Sequence, residues 1–179
     1  MTSCKARERQ NTYALDATAF SIEGHNGTCV RVHAQVSVKD GLCRYDKITD
    51  EHRAESVKNF PIEQGALYLA DRAYAKAQQI AWILEHRSEL LFRFSPKHVV
   101  LYKNPSCTKR LEVDTLLDRD LFSRICYIQH QRKVYPVRIV GKQLPEEAQT
   151  AAQKKCARRR ARIRQRSRNE RCCMQTGCF

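Results

Sequence analysis

Val30-Arg31-Val32-His33-Ala34-Gln35-Val36-Ser37-Val38 alternates apolar and polar residues without a break. Side chains in an extended chain point to opposite sides at every step, so a strict period of two predicts a β-strand with one face buried. The valines and Ala34 are its apolar set. Lys39-Asp40-Gly41 supplies a hairpin turn, and Leu42 to Thr49 returns as an antiparallel strand. Upstream, Gly24-His-Asn-Gly27 is another turn, and Tyr13 to Ile22 reads as a strand interrupted by one acid, Asp16. Three antiparallel strands therefore open the domain.

Further along, Ala54 to Phe60 fits a short helix closed by Pro61. Gly65-Ala-Leu-Tyr-Leu-Ala70 is a nearly continuous apolar run ending on Asp71-Arg72, a pattern suited to a strand covered on both faces. A helix is predicted over Lys76 to Arg87. Ala77, Ile80, Ala81 and Leu84 form its core stripe, with Trp82 packed beside them. Leu90 to Phe94 is a fifth strand, stopped by Ser95-Pro96. From 97 to 145 the texture changes. Val99–Tyr102, Ile125–Gln129 and Val134–Val140 look like strands between polar turns, with no amphipathic helix. After Pro145 the chain favours helix to about Arg168, with acids at the start and arginines towards the end, which complements a helix dipole.

This order predicts an α/β fold: an RNase H-like mixed sheet with a β-rich insertion and a C-terminal basic helix. The expected divisions are an N-terminal extension (1–12), a partial catalytic core (13–96), the insertion (97–145), the basic helix (146–170) and an irregular tail (171–179).

Composition narrows the function. The 179 residues are 42% hydrophobic, enough for a globular domain. No stretch approaches the roughly 18–20 uncharged apolar residues of a membrane span, and the charged N-terminus lacks a signal-peptide core. Residues 1–153 hold 23 basic and 18 acidic groups, whereas 154–179 hold ten and one. Most of the +14 net charge therefore sits on a short segment, and its natural partner is a polyanion such as nucleic acid. Lys154, Lys155, Arg158, Arg159, Arg160, Arg162, Arg164, Arg166 and Arg168 would spread around most of a helix. That suits phosphate contact rather than base reading. Nine cysteines, with no Cys-x-x-Cys pair, argue against a disulfide framework or zinc ribbon and point to the cytosol.

Two aspartates stand out. Asp16 interrupts a strand, where a charge is costly unless paired or metal-bound. Asp71 ends a buried strand, at the edge where open α/β sheets gather ligands. If their strands are neighbours, the carboxylates converge. Hard cations such as Mg²⁺ choose such oxygens. The bland alternative is that Asp71 pairs with Arg72 or a nearby lysine and Asp16 caps a turn.

Four segments, in order, carry a family resemblance: Leu15-Asp-Ala-Thr18, Gly27-Thr-x-x-Arg-Val-His33, His52-x-x-Glu-Ser56 and Leu69-Ala-Asp-Arg-Ala-Tyr-Ala75. Together they resemble DDE transposases of bacterial insertion sequences, of the IS-four-type family with a β-strand insertion. The resemblance runs from about Tyr13 to Arg168. It implies DNA transposition, by hydrolysis of element ends and transesterification into target DNA. Asp16 and Asp71 would be catalytic and hold Mg²⁺ or Mn²⁺, and Arg72 and Tyr74 belong to the second motif. Arg31, His33 and the basic run would contact double-stranded DNA. The full-length form would act as a homodimer in a bacterial, nucleoid-associated, cytoplasmic setting, with no membrane and no small-molecule substrate. Ala73 stands where the motif has glycine.

The family's third carboxylate, in a Tyr-x-x-Arg-x-x-x-Glu-x-x-x-x-x-x-Lys motif, does not occur. Its absence, the short stretch before Asp16 and the cysteine-rich ending together suggest a fragment truncated at both ends, its last residues out of frame. Such a fragment would hold metal weakly and be inactive alone. Two rivals remain: a non-enzymatic nucleic-acid-binding protein working through its arginine-rich helix, and a complete RNase H-like nuclease whose third acid is Asp114 or Asp118.

Overall fold

The computed structural model describes residues 11–21, 30–50, 52–116, 121–142, 145, 148 and 150. It divides into two compact units, 1–113 with 124–139, and 114–123 with 140–179. The first contains a five-stranded sheet. Its strands are β1 (Thr12–Phe20), β2 (Val30–Ser37), β3 (Cys43–Asp50), β4 (Leu67–Ala70) and β5 (Glu89–Phe92), in the order β3-β2-β1-β4-β5. The first three are antiparallel; β4 runs parallel to β1, and β5 parallel to β4. The protein is thus mixed α/β, rich in strand and poor in helix. No described helix is long and apolar enough to cross a membrane.

The β2–β3 turn follows from its residues. Gly41 takes φ +71°, Asp40 Oδ1 accepts from the Leu42 amide at 3.1 Å, and the Gly41 amide donates to the Ser37 carbonyl at 2.8 Å. The parallel β4–β5 pair needs a crossover, supplied by helix α1 (Ala77–Glu85). That helix ends in a Schellman motif. The Ser88 amide donates to the Ile83 carbonyl and the Arg87 amide to Leu84, with Arg87 at φ 54° where glycine is the usual residue.

The core gathers Leu15, Val57, Phe60, Ala66, Tyr68, Tyr74 and Ile83 on one face of the sheet. The registers put Leu15 opposite Gln35 and Ala70, and Tyr13 opposite Ser37 and Tyr68. The inward side of β2 is therefore His33, Gln35 and Ser37, all buried, while Val30, Val32, Ala34 and Val36 are only half-buried. This reverses the side that the valine alternation suggests. Leu15 and Tyr68 dictate which face receives Val57, Phe60 and α1, and β2 must present whatever its register brings there.

Other expectations shift as well. In place of a helix over 54–60 there is a 3-10 turn at Val57–Asn59, capped by Ser56. The Asn59 side chain donates to the Ala54 carbonyl at 3.1 Å, a local bond that competes with helix. On α1 the buried residues are Gln79, Ile80, Ala81 and Ile83, with Ala77 and Leu84 half-buried. Gln79 is drawn inward by two bonds: its Oε1 accepts from the Val57 amide at 3.1 Å and its Nε2 donates to the Glu55 carbonyl at 3.3 Å. Trp82 packs at the edge of the core, with the Lys58 ammonium 4.8 Å from its ring centre.

Between 97 and 145 the strands are β6 (Leu121–His130) and β7 (Lys133–Lys142), which pair as a hairpin. Val99–Tyr102 is not a strand. Tyr102 makes only isolated bridges to Arg110 and Tyr127. A second 3-10 turn, Val113–Leu116, contains Asp114. Asp118, the basic helix expected over 146–170 (apart from 148 and 150, which are helical) and the tail over 171–179 lie outside the described residues.

Arg87 tests the Schellman geometry. A side chain in the left-handed region is strained by about 1 kcal/mol relative to glycine. Arg87→Gly is expected to raise unfolding stability by about that amount in urea titration; a loss of stability would show that the Arg87 side chain, not its backbone, is what matters.

Candidate functional site

The β1–β4 register ends on Leu15–Ala70, and the β4–β5 register on Ala70–Phe92. The next residues on the three neighbouring strands are Asp16, Asp71 and Arg93. All three are exposed. The two aspartates thus each follow the last paired residue of neighbouring parallel strands, at their carboxyl end. Arg93 completes the row. Its amide donates to the Ala70 carbonyl at 3.1 Å, and its guanidinium approaches the Asp71 carboxylate at 3.7 Å.

Arg93 was not among the residues the sequence singled out. The signal existed, since Arg93 interrupts the apolar run Leu90-Leu-Phe as Asp16 interrupts the first strand. Only the register shows that the two interruptions fall on one line.

Below this row lies Tyr74, placed by the turn that leaves β4, with its amide bonded to the Asp71 carbonyl at 3.0 Å. It is 2% exposed, and its hydroxyl has no hydrogen-bond partner among the described residues. Burial pushes its phenol well above the ordinary range, and the Glu55 and Asp16 carboxylates push it further, against Arg31. The hydroxyl thus sits within the field of Asp16. Arg72 lies exposed in the same turn.

Arg31 is half-buried and His33 fully buried. Arg31 donates to the Arg53 carbonyl, and its Nε is buried without a partner. His33 is fully buried. Its Nε2 lies 3.0 Å from Thr49 Oγ1, Asn59 approaches the ring, and Phe60 meets it edge-on at 5.9 Å. These contacts enclose the imidazole within the core side of the sheet. Burial lowers its pKa, with help from Arg31, Lys47 and Arg53. Lys154 to Arg168 lie outside the described residues.

The donors present suit a hard cation only in part. Asp16 and Asp71 are exposed carboxylates of the oxygen type that Mg²⁺ prefers. Among the described residues, no group of three or more His, Cys, Asp or Glu side chains gathers to hold a metal. A hollow of about 400 Å³, lined in part by Tyr13, Lys39 and Arg44, opens near the start of β1 and includes neither aspartate. No protein-family model, curated protein or solved structure matches the chain.

Two outcomes are expected. Tyr74→Phe removes an unsatisfied buried hydroxyl, so its melting temperature should match or exceed the wild type. A loss of about 1 kcal/mol or more would mean that the hydroxyl has a partner in solution. For His33, the folded pKa lies below the ordinary 6.5, so the unfolded chain binds more protons. Its contribution is complete above about 6.5 and is lost as pH falls through that value towards the folded pKa. The fall in urea midpoint between pH 7.5 and 5 should be shallower in His33→Gln; equal slopes would remove His33 as the cause.

Proposed function

We propose that this chain is the catalytic-core part of a DDE transposase of the bacterial insertion-sequence type, with Asp16 and Asp71 as two of its metal-holding carboxylates. The observation that supports the reading is the register of β1 and β4, whose last pair, Leu15–Ala70, is followed on each strand by an aspartate, the two lying 55 positions apart in the chain. The sheet supports it. An order of β3-β2-β1-β4-β5, antiparallel in its first three strands and parallel in β1, β4 and β5, is that of RNase H-like nucleases. The motifs around both aspartates support it independently of the backbone.

In this reading Asp16 and Asp71 hold Mg²⁺ or Mn²⁺. A divalent ion there would supply charge neutralisation at a phosphodiester and a more acidic attacking hydroxyl. Tyr74, whose amide bonds the Asp71 carbonyl, fixes the turn that carries Asp71, and its phenol feels the charge of Asp16. Double-stranded DNA is the substrate, drawn by the net charge of +14 and held through phosphates by the arginine-rich run. The setting is then the bacterial cytoplasm at the nucleoid. With no Tyr-x-x-Arg-x-x-x-Glu-x-x-x-x-x-x-Lys motif in the sequence, the carboxylate set is two-membered, and metal binding is weak.

Calorimetric titration of Mg²⁺ or Mn²⁺ into the purified chain tests this. One weak site is expected, lost in Asp16→Asn and in Asp71→Asn while melting temperature is kept. DNA binding should weaken steeply with salt in all three proteins. If the wild type and both variants take up metal identically, while DNA binding depends only on the arginines, the chain is a non-enzymatic nucleic-acid binder instead.

A further inference from the structure

We propose that His33 and Asn59 form a proton-operated latch, closed over residues 53–59 while the imidazole is neutral and opened when the ring takes up a second proton. The inference stands apart from the reading of Asp16 and Asp71.

The hydrogen bonds of Asn59 decide the matter. Its Nδ2 donates to the Ala54 carbonyl at 3.1 Å, and its Oδ1 accepts from Arg53 Nε at 3.3 Å. Those two bonds fix which end of the amide is nitrogen. That nitrogen lies 3.4 and 3.5 Å from Nδ1 and Nε2 of His33, so the ring faces a donor. Nε2 also lies 3.0 Å from Thr49 Oγ1, a hydroxyl able to give or take a hydrogen bond. A neutral ring, with one N–H and one lone pair, suits this set. An imidazolium has two N–H groups. Thr49 accepts from one, and the other meets the donor end of Asn59. Turning the amide over would supply an oxygen, but it would set that oxygen against the Ala54 carbonyl and the nitrogen against the Arg53 guanidinium. Both bonds of the closed segment would be lost.

The surroundings add to this. The ring is fully buried, with the edge of Phe60 at 5.9 Å. The charges that act on it are all cations: Arg31 on its own strand, Lys47 directly across on β3, and Arg53 in the segment itself. A buried charge without a carboxylate partner is costly, so the ring resists its second proton while the latch is closed. Residues 53–59 are also held to α1, where Gln79 bonds the Val57 amide and the Glu55 carbonyl. No titrating group takes part in that second hold. Protonation therefore frees one side of the segment and leaves the other anchored, a local opening rather than unfolding. The segment carries Glu55, whose carboxylate acts on the Tyr74 phenol together with Asp16. The latch thus governs the charge at that end of the sheet.

The sign follows from linkage. The open segment leaves the ring at its ordinary value near 6.5, and the closed one holds it lower. Closure is complete above about 6.5 and is lost as pH falls towards the lower value.

The test uses the full chain as wild type, His33→Gln and Asn59→Asp. Amide hydrogen exchange, corrected for its intrinsic pH dependence, is followed at pH 7.5 and 5.5. The reporters are the amides of Asn59 and Phe60, which donate to the Ser56 and Val57 carbonyls. Their protection should fall by up to about tenfold at the lower pH, the limit for one proton taken up near 6.5, while β1 and β4 keep theirs. His33→Gln should show no such fall. Nor should Asn59→Asp, whose carboxylate accepts from the imidazolium. In the wild type the midpoint of the His33 ring titration, read by NMR, should coincide with that of the opening, a comparison that needs no variant. Unchanged protection in the wild type, an equal fall in His33→Gln, an equal loss across β1 and β4, or two separate midpoints would each overturn the latch.

Discussion

The parallel pairing of β1 with β4 is the constraint on which everything else depends. It is short, four register pairs from Thr12–Leu67 to Leu15–Ala70, and the connection between the strands is long. Such a pairing needs help at its start, and Glu63 provides it. Asn11 Nδ2 and the Tyr13 hydroxyl donate to its carboxylate at 2.7 and 2.6 Å. Its amide donates to the Tyr68 hydroxyl at 2.7 Å, and its carbonyl accepts from Ser88 Oγ at 2.8 Å. One residue thus ties together the beginnings of β1, β4 and β5. Donation to the carboxylate raises the Tyr13 pKa to about 12, and the same bonds hold Glu63 below its ordinary value. A slip of one residue along β4 would turn its core side chains to the wrong face and separate Asp71 from Asp16.

The price of this pairing is a polar inward face on β2. His33, Gln35 and Ser37 lie where a valine would be cheaper to bury, because β1 decides the register and β1 answers to Leu15 and Tyr68. Much of the cost is offset by Thr49, Asn59 and the edge of Phe60. Gln35 Oε1 remains without a partner. Together with Tyr74 Oη and Arg31 Nε it is one of three buried side-chain polar atoms without a hydrogen-bond partner among the described residues.

Much of the architecture was legible in the residues. The strand order follows from alternation in β2, the turn at Asp40-Gly41, the apolar run before Asp71 and the helical stripe after it. The positions of Asp16 within β1 and Asp71 just after β4 were legible too, because a charge inside or closing an apolar strand is conspicuous. Gln79 was not. A glutamine looks like a surface residue until the amide of Val57 and the carbonyl of Glu55 are seen to need it. Arg93 was missed for a different reason: an arginine ending a strand is ordinary, and only the neighbours across the sheet give it meaning.

By itself the sequence determined which segments extend, which turn, where charge accumulates and which acids are out of place. Those properties are local, fixed by side-chain period, turn chemistry and composition. The tertiary structure alone decided which face of β2 is inside, that His33 is buried, and that Asp16, Asp71 and Arg93 each follow the last paired residue of three neighbouring strands. Those depend on register between strands distant in the chain. Register is set by the joint packing of Leu15, Tyr68, Phe60 and Ile83, a sum over many contacts that no short window of residues contains.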